Sequence, residues 1–374
     1  MAKEIEREKS FYTAVAVALD GNPEAMRKIK LLLAKKNGDV FPGWATAFEY
    51  LADGGKIGRM EPRNRATMPN PAEEWENLAQ RGIRFIFRDE PNFPALLREI
   101  HDPPLGLYVR GELSSVVAAS AGSITVVGTR RGTPEGKATT RQFAAELAGA
   151  GFVIVSGLAL GIDAEAHEGC LEASGSGTPG KTIAVLARGV DRIYPNENER
   201  LGQKILAAGG AIISEYPPGE PPYPDRFLER NRIVSGLSRG TLVVEAPARS
   251  GSLATASFAL EQSRDVFVVP GPITHPNFFG SHQLIRQGAE LVTKSEEILE
   301  AYGMRAEDTA TRAAAGASDE EKQVLLALRA ATHALDVDKI IELTKLEPRV
   351  VSQALSFLVL KHLVKETEAG YIIE

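Results

Sequence analysis

A ladder of short apolar runs constrains this chain more than any other feature. In order they are "IRFIF", "LGLYV", "ITVV", "FVIVS", "TIAVLA", "AIIS", "TLVVEA", "VFVVPG" and "ELVT", all between residues 83 and 293. Helical stretches such as "PEGKATTRQFAAELAGAG" and "NENERLGQKILAAGG" separate most of them. Runs that are apolar throughout, instead of alternating with polar residues, belong to strands covered on both faces, and helices between them supply the cover. The pattern therefore predicts an α/β domain with a doubly wound parallel sheet, extending to about residue 302.

At 374 residues the chain exceeds one ordinary core, so two or three domains are expected. Residues 1–75 carry apolar positions at helical spacing in "FYTAVAVAL" and "AMRKIKLLLAKK" and read as a small N-terminal helical domain. It ends in the loop-like "MEPRNRATMPNPAEE". The α/β domain takes 76–302, and the Ala- and Thr-rich 303–317 reads as a linker. In 318–374 come three helical pieces and "KETEAGYIIE", the element order of a winged helix.

Composition narrows the function classes. With 43% hydrophobic and 25% charged residues the chain is a globular protein, and a net charge of −6 gives no global sign of a polyanion partner. Any basic surface must then be local. The single Cys170 excludes an internal disulfide framework and fits a reducing cytoplasm. "MAKEIEREKS" lacks the apolar stretch of a secretory signal, and no apolar run approaches the ~18 residues of a membrane span. A cytoplasmic protein without membrane contact is expected.

In an open parallel sheet, ligands sit outside the carboxyl ends of the strands. After "ITVV" comes Gly128-Thr129-Arg130-Arg131, where a dinucleotide-binding fold would carry further glycines. After "FVIV" come Ser156, Gly157 and Gly161, just before a helix; after "TIAVLA" comes Arg188. After "TLVVEA" come Arg249, Ser250, Gly251 and Ser252, opening another helix. Free N–H groups and the dipole at such helix starts attract anions, and repetition over several loops suits a phosphate polymer better than one nucleotide.

A second basic cluster, "PPYPDRFLERNRIVSGLSRG", holds Arg226, Arg230, Arg232 and Arg239 around Phe227, with Tyr223 just before. Cations that follow a backbone and aromatic faces that stack bases are how single-stranded nucleic acid is held. The competing reading puts Phe227 in the core and the arginines on a solvated face. Asp163, Glu165 and His167 could be taken for a catalytic set, but Asp163 reads as a helix N-cap and His167 as packing. Cys170 reads as a small buried residue. No metal-ligand spacing, nucleophile elbow or P-loop appears, so neither metal, cofactor nor catalysis is expected.

Taken together, "VVGTRRGTPEG", "VIVSGLALGIDAEAHEG", "KTIAVLARGVDRIYPNEN", "IISEYPPGEPP", "FLERNRIVSGLS", "LVVEAPARSGSLATASFALEQ" and "VFVVPGPI" closely resemble the DprA/Smf family of DNA-processing proteins, over about residues 80–300. The resemblance implies a Rossmann-like domain that binds single-stranded DNA. It also implies protection of incoming strands in natural transformation, loading of the RecA recombinase onto them, a homodimer, and no catalysis. The family's "GSR" falls on Gly128, Thr129 and Arg130, its "RNRI" on Arg230, Asn231, Arg232 and Ile233, and its "RSGS" on Arg249, Ser250, Gly251 and Ser252.

The chain departs from the pattern in places. Thr129 replaces the usual serine, Leu160 stands where a basic residue is common, and Asn196 follows "YP" where a basic residue often does. Residues 1–75 lack the Gly-rich helix-hairpin-helix turns of many relatives. The winged-helix-like 318–374 has seven Lys and Arg against ten Asp and Glu, so backbone binding to DNA there is expected to be weak. Two alternatives are a phosphoribohydrolase-type enzyme, whose loop would carry a catalytic acid, and a winged-helix regulator with a ligand-sensing core.

Overall fold

The computed structural model describes residues 2–29, 43–53, 68–113, 122–173, 180–304, 318–331, 334–360, 364–367 and 370–373. Residues 305–317 of the expected linker, and 54–67 before the α/β domain, lie outside them. The chain opens with helices α1 (Ala2–Ala18), α2 (23–29), α3 (Trp44–Ala52) and α4 (Pro71–Gln80). Strand β1 (Arg84–Phe87), the short α5 (Ala95–Arg98) and β2 (Gly106–Gly111) follow.

The alternating part then runs β3 (Ser123–Val127), α6 (Pro134–Gly149), β4 (Val153–Ser156), α7 (Ile162–Glu172), β5 (Thr182–Val185), α8 (Glu199–Ala207) and β6 (Ala211–Ser214). It continues through α9 (Pro224–Gly236), β7 (Gly240–Val243), α10 (Gly251–Glu261), β8 (Asp265–Val268), α11 (Phe279–Arg286), β9 (Glu290–Leu291) and α12 (Ser295–Ala301).

One nine-stranded sheet contains all of these strands, in the order β1-β2-β6-β5-β4-β3-β7-β8-β9. From β6 to β9 every pairing is parallel, as the doubly wound reading expects. The first two apolar runs differ: β1 pairs antiparallel with β2, and β2 antiparallel with β6. A parallel connection needs a crossover of a dozen residues or more, usually carrying a helix. Between β1 and β2 only the four-residue α5 is helical, and the chain simply turns back.

Strand parity sorts the core. Val127, Val155, Val185, Ile213 and Val243 face one side, where α9 and α10 pack through Val234, Leu237, Ala256 and Ala259. Val126, Ile154 and Leu242 face the other, under Phe143 and Leu147 of α6 and Ala166 of α7. Further along that second face, Ala184 and Ile212 are covered by α8 and by the N-terminal helices. Tyr12 of α1 stacks on Phe85 of β1 with ring centroids 4.6 Å apart and meets Trp44 edge-on at 4.8 Å. The first four helices and the β1–β6 end of the sheet thus share one continuous core.

The C-terminal segment has its own cluster, built from Val324, Leu328, Ile340, Leu355 and Leu358. Its helices are α13 (Asp319–Ala330), α14 (Val337–Thr344) and α15 (Pro348–Leu360), followed by the hairpin β10 (Val364–Thr367) and β11 (Gly370–Ile373). Ser318 and Glu321 close the start of α13 as a reciprocal capping box.

Candidate nucleic-acid interface

The strand order fixes where a ligand can enter. From β3 the chain winds through β4, β5 and β6 on one side, then crosses back by α9 to β7 on the other. The loops after β3 and β7 therefore diverge and leave a crevice between them, the switch point at which open α/β sheets bind ligands. A groove of about 640 Å³ opens there.

Each wall comes from one loop or helix. The β3 loop contributes Gly128, Thr129, Arg130 and Arg131; the β4 loop contributes Gly157 and Ala159. Tyr194, from the loop after β5, and Phe227, Leu228, Arg230 and Asn231 of α9 close one side. Arg249, Ser250, Gly251 and Ser252 bring the start of α10 to the other.

Local chemistry explains why these loops hold their shape. At Gly128 a Cβ would sit 2.7 Å from Ile162 and 2.9 Å from the Glu245 carbonyl, so only glycine lets the loop lie against α7. Thr129 donates its N–H to the Glu245 carbonyl at 2.7 Å. The buried Glu245 carboxylate accepts from the Thr133 N–H at 3.1 Å, from its hydroxyl, and from Asn277 at 2.8 Å. Thr133 in turn caps α6 by accepting from Gly136 at 2.9 Å. The Ser250 hydroxyl caps α10 and pairs with Ser252 at 2.7 Å. A Cβ on Gly251 would meet no protein atom, so the close approach this glycine permits is from the open side.

Asp163 and Arg230 hold the β4 loop from two directions. Asp163 is the second residue of α7, behind Gly161, and its carboxylate accepts the N–H groups of Gly157 at 3.1 Å and Ala159 at 3.4 Å. Burial pushes its pKa above the usual carboxylate range, against the pull of Arg230 and these amides. Arg230 donates to the carbonyls of Gly157, at 2.7 Å, and Val185. Burial lowers its pKa to about 10, leaving it charged at neutral pH. Gly157 packs so closely on this guanidinium that a Cβ would lie 2.7 Å from it.

The arginines divide sharply. Arg130, Arg131 and Arg249 are exposed, and among the described residues no carboxylate pairs with any of them. The Arg130 guanidinium lies 5.3 Å from the centre of the Phe227 ring, a cation–π arrangement.

Arg232 faces away from the groove. Its guanidinium is held by Glu215 at 2.8 Å and Asp102 at 3.1 Å, with only 7% of the residue exposed. Although burial opposes its charge, these two carboxylates hold its pKa above the ordinary value. Arg226 is likewise committed, to Glu220 at 3.0 Å and to the Asp20 carbonyl.

Three further expected contacts stand outside the groove lining. Ser156 is fully buried and donates to the Val126 carbonyl at 2.7 Å. Gly161 lies behind the wall, where its φ of +80° and a 2.5 Å approach of any Cβ to the Thr129 carbonyl require glycine. Arg188 follows β5, two strands from β3, and its Nε is buried without a hydrogen-bond partner.

Asp163 is not the N-cap expected from its position, since Gly161 holds that place. His167 is packing, as expected: it is fully buried, with Nδ1 2.7 Å from the Thr182 hydroxyl, and burial drops its pKa to about 3. Burial pushes the Cys170 thiol up to about 12. Sequence reasoning missed Tyr194 and Glu245. The signal for Glu245 was present, as an acid closing the apolar run "TLVVEA" at the rim of the sheet.

The family model for DNA recombination-mediator protein A matches residues 84–303. The chain belongs to that family. Protein Smf of Escherichia coli is 46% identical over 223 residues, which are 60% of this chain but 58% of Smf's own length. The X-ray structure of DNA processing protein A (DprA) from Streptococcus pneumoniae superposes with a TM-score of 0.60 at 32% identity, covering 78% of this chain and 97% of that one. A structure of DNA processing protein A from Helicobacter pylori, concerned with that protein's single-stranded DNA binding mode, gives a TM-score of 0.52 at 32% identity. It covers 59% of this chain and 94% of that one. The DprA/Smf resemblance of the seven motifs is thereby confirmed, as is the Rossmann-like fold they imply.

Proposed function

We propose that this protein binds single-stranded DNA in the groove between β3 and β7 and hands the strand to a RecA-type recombinase, without catalysing a reaction itself. The observation that carries the reading is the set of three exposed guanidiniums, Arg130, Arg131 and Arg249, paired with no carboxylate among the described residues, around a recess that also presents the start of α10 and the Phe227 ring. Cations and helix amides bind phosphates without regard to sequence, and an aromatic face takes any base. The single-strand binding described for the Helicobacter pylori protein supports the same assignment.

The groove's chemistry favours binding over hydrolysis. Asp163 is the one acid among the described residues of its lining, and its carboxylate is committed to the Gly157 and Ala159 amides. Strand protection in natural transformation, a homodimer and a cytoplasmic location complete the proposal. No helix among the described residues is long and apolar enough to cross a membrane.

Competition between an unstructured oligonucleotide and random duplex tests it. Single strands are expected to win, with affinity falling steeply with salt as counterions leave the phosphates. Equal affinity for duplex, or release of free base from nucleoside monophosphates, would overturn the reading.

A further inference from the structure

Arg131 and Asn277 stand 146 residues apart in the chain, yet the Asn277 amide reaches the loop after β3. Its Nδ2 donates to the Arg131 carbonyl at 3.0 Å and to the buried Glu245 carboxylate at 2.8 Å. A side-chain amide nitrogen carries two protons, and here each has an acceptor. Turning the amide over would set its oxygen against two other oxygens, so the orientation is fixed by its partners. Arg131 is held from the other side as well, because its N–H donates to the Thr129 hydroxyl at 3.2 Å. Of the three exposed arginines, Arg131 is the one whose own N–H and carbonyl both meet side chains among the described residues.

The frame behind Asn277 is firm. It lies in the single turn Pro276–Phe278 between β8 and α11, where its N–H donates to the His275 ring at 3.2 Å. The start of α11 is fastened to the rim beyond β7: the Ala246 carbonyl accepts from Gly280 at 2.8 Å and from Ser281 at 3.2 Å. The Ser281 hydroxyl accepts the Ala246 N–H at 3.0 Å. Arg131 lines the groove and Asn277 does not, so any effect of Asn277 on a strand passes through the loop it holds. A cation whose backbone is already fixed has less freedom to lose when a phosphate arrives.

We propose that Asn277 is a positioning residue for phosphate binding: it clasps the Arg131 peptide, with Thr129 as the second clasp, and so presets that guanidinium at the groove. The inference rests on the single-strand reading and deepens it, bringing the loop after β8 into the binding machinery without a contact to the strand.

The test is a double-mutant cycle on the full chain, with an oligothymidylate titrated at increasing salt. Arg131→Ala should lower the slope of log affinity against log salt by about 0.7, the share of one phosphate contact. Asn277→Ala should weaken binding about 2- to 10-fold, as for one lost hydrogen bond, and lower the slope by part of the same amount. In the Arg131→Ala background, Asn277→Ala should change neither affinity nor slope, because a residue that acts through another loses its effect once that one is gone. General loosening of the fold would instead lower affinity in both backgrounds. Thr129→Val keeps the shape and removes the hydroxyl; it should repeat the pattern, and it carries the test if Asn277→Ala does not fold.

The proposal is overturned if Asn277→Ala binds the oligonucleotide as tightly as wild type, or if its loss persists undiminished in the Arg131→Ala background. It is equally overturned if Arg131→Ala keeps wild-type affinity and slope, since no phosphate contact is then there to position. Failure of the wild-type protein to bind the oligonucleotide at all would instead remove the single-strand reading on which the inference stands.

Discussion

Helix α9 presents two faces built from the same residue types. On one, Phe227, Arg230, Asn231 and Val234 look into the groove at the i, i+3, i+4, i+7 spacing of a helical stripe. On the other, Arg226, Glu229 and Arg232 turn toward Glu220, Tyr216, Glu215 and Asp102. Asp102 in turn pairs with Arg27 of α2. Where a basic residue meets buried acids it fastens elements together, and where it meets none its charge stays available to a ligand. Arg130 and Arg232 are therefore not equivalent, although both stand in motifs that the family resemblance assigns to DNA.

The most severe way to break this contrast is Arg232→Met. It strands Glu215 as a buried unpaired carboxylate, and removal of one partner from a buried pair costs about 3–5 kcal/mol. Urea unfolding should register that loss, while the folded fraction keeps its DNA affinity. A variant as stable as wild type but defective in DNA binding would reverse the roles assigned to the two faces.

Arg230 lies between the extremes, buried like Arg232 but set in the groove wall. Arg230→Gln should cost about 1–3 kcal/mol of stability, from carbonyls and Asp163 left without their charged partner. It should also weaken single-strand binding as the Gly157–Ala159 loop slackens. Stability by denaturation and affinity by titration should both shift, and a change in only one would place Arg230 wholly on one side of the comparison.

Arg130→Ala should leave stability within about 0.5 kcal/mol, the range of an exposed substitution. Losing one phosphate contact should lower the slope of log affinity against log salt by about 0.7, alike for all sequences. A series of titrations at increasing salt measures that slope directly.

The effect that mutates nothing in the groove concerns His167, which is fully buried and also feels the Arg230 charge. Its folded pKa is about 3 against about 6.5 unfolded, so the unfolded chain binds more protons between those values. Its contribution to stability is therefore complete above pH 6.5 and drains away as pH falls toward 3. Over the first pH unit below 6.5 the loss should be about 1 kcal/mol, and His167→Asn should flatten that part of the stability profile.

How much of this could be read beforehand follows from where the partners lie. The parallel strands were legible because each apolar run is complete within four or five residues. The direction of β1 and β2 was not, since it depends on how the chain between them returns. The meeting of the β3 and β7 loops at one groove follows from strand order, because strand ends carry position with them. Arg232 could not be told from Arg230 by type or neighbourhood. Its fate is set by Asp102 and Glu215, 130 and 17 residues away along the chain, whose acidity marks them no differently from any surface acid. Ser156 likewise lies one residue before the groove but points inward, because strand alternation still governs it.

The shared core at the β1–β6 end bears on how this protein can be shortened. A chain cut to the family-matched stretch would begin at β1 and lose Tyr12 and Trp44, leaving the rings of Phe85, Phe87 and Tyr108 bare to water along one flank of the sheet. Such a fragment would invite clumping through that flank unless those aromatics were exchanged for polar residues. The practical minimum unit is therefore longer than the homologous one.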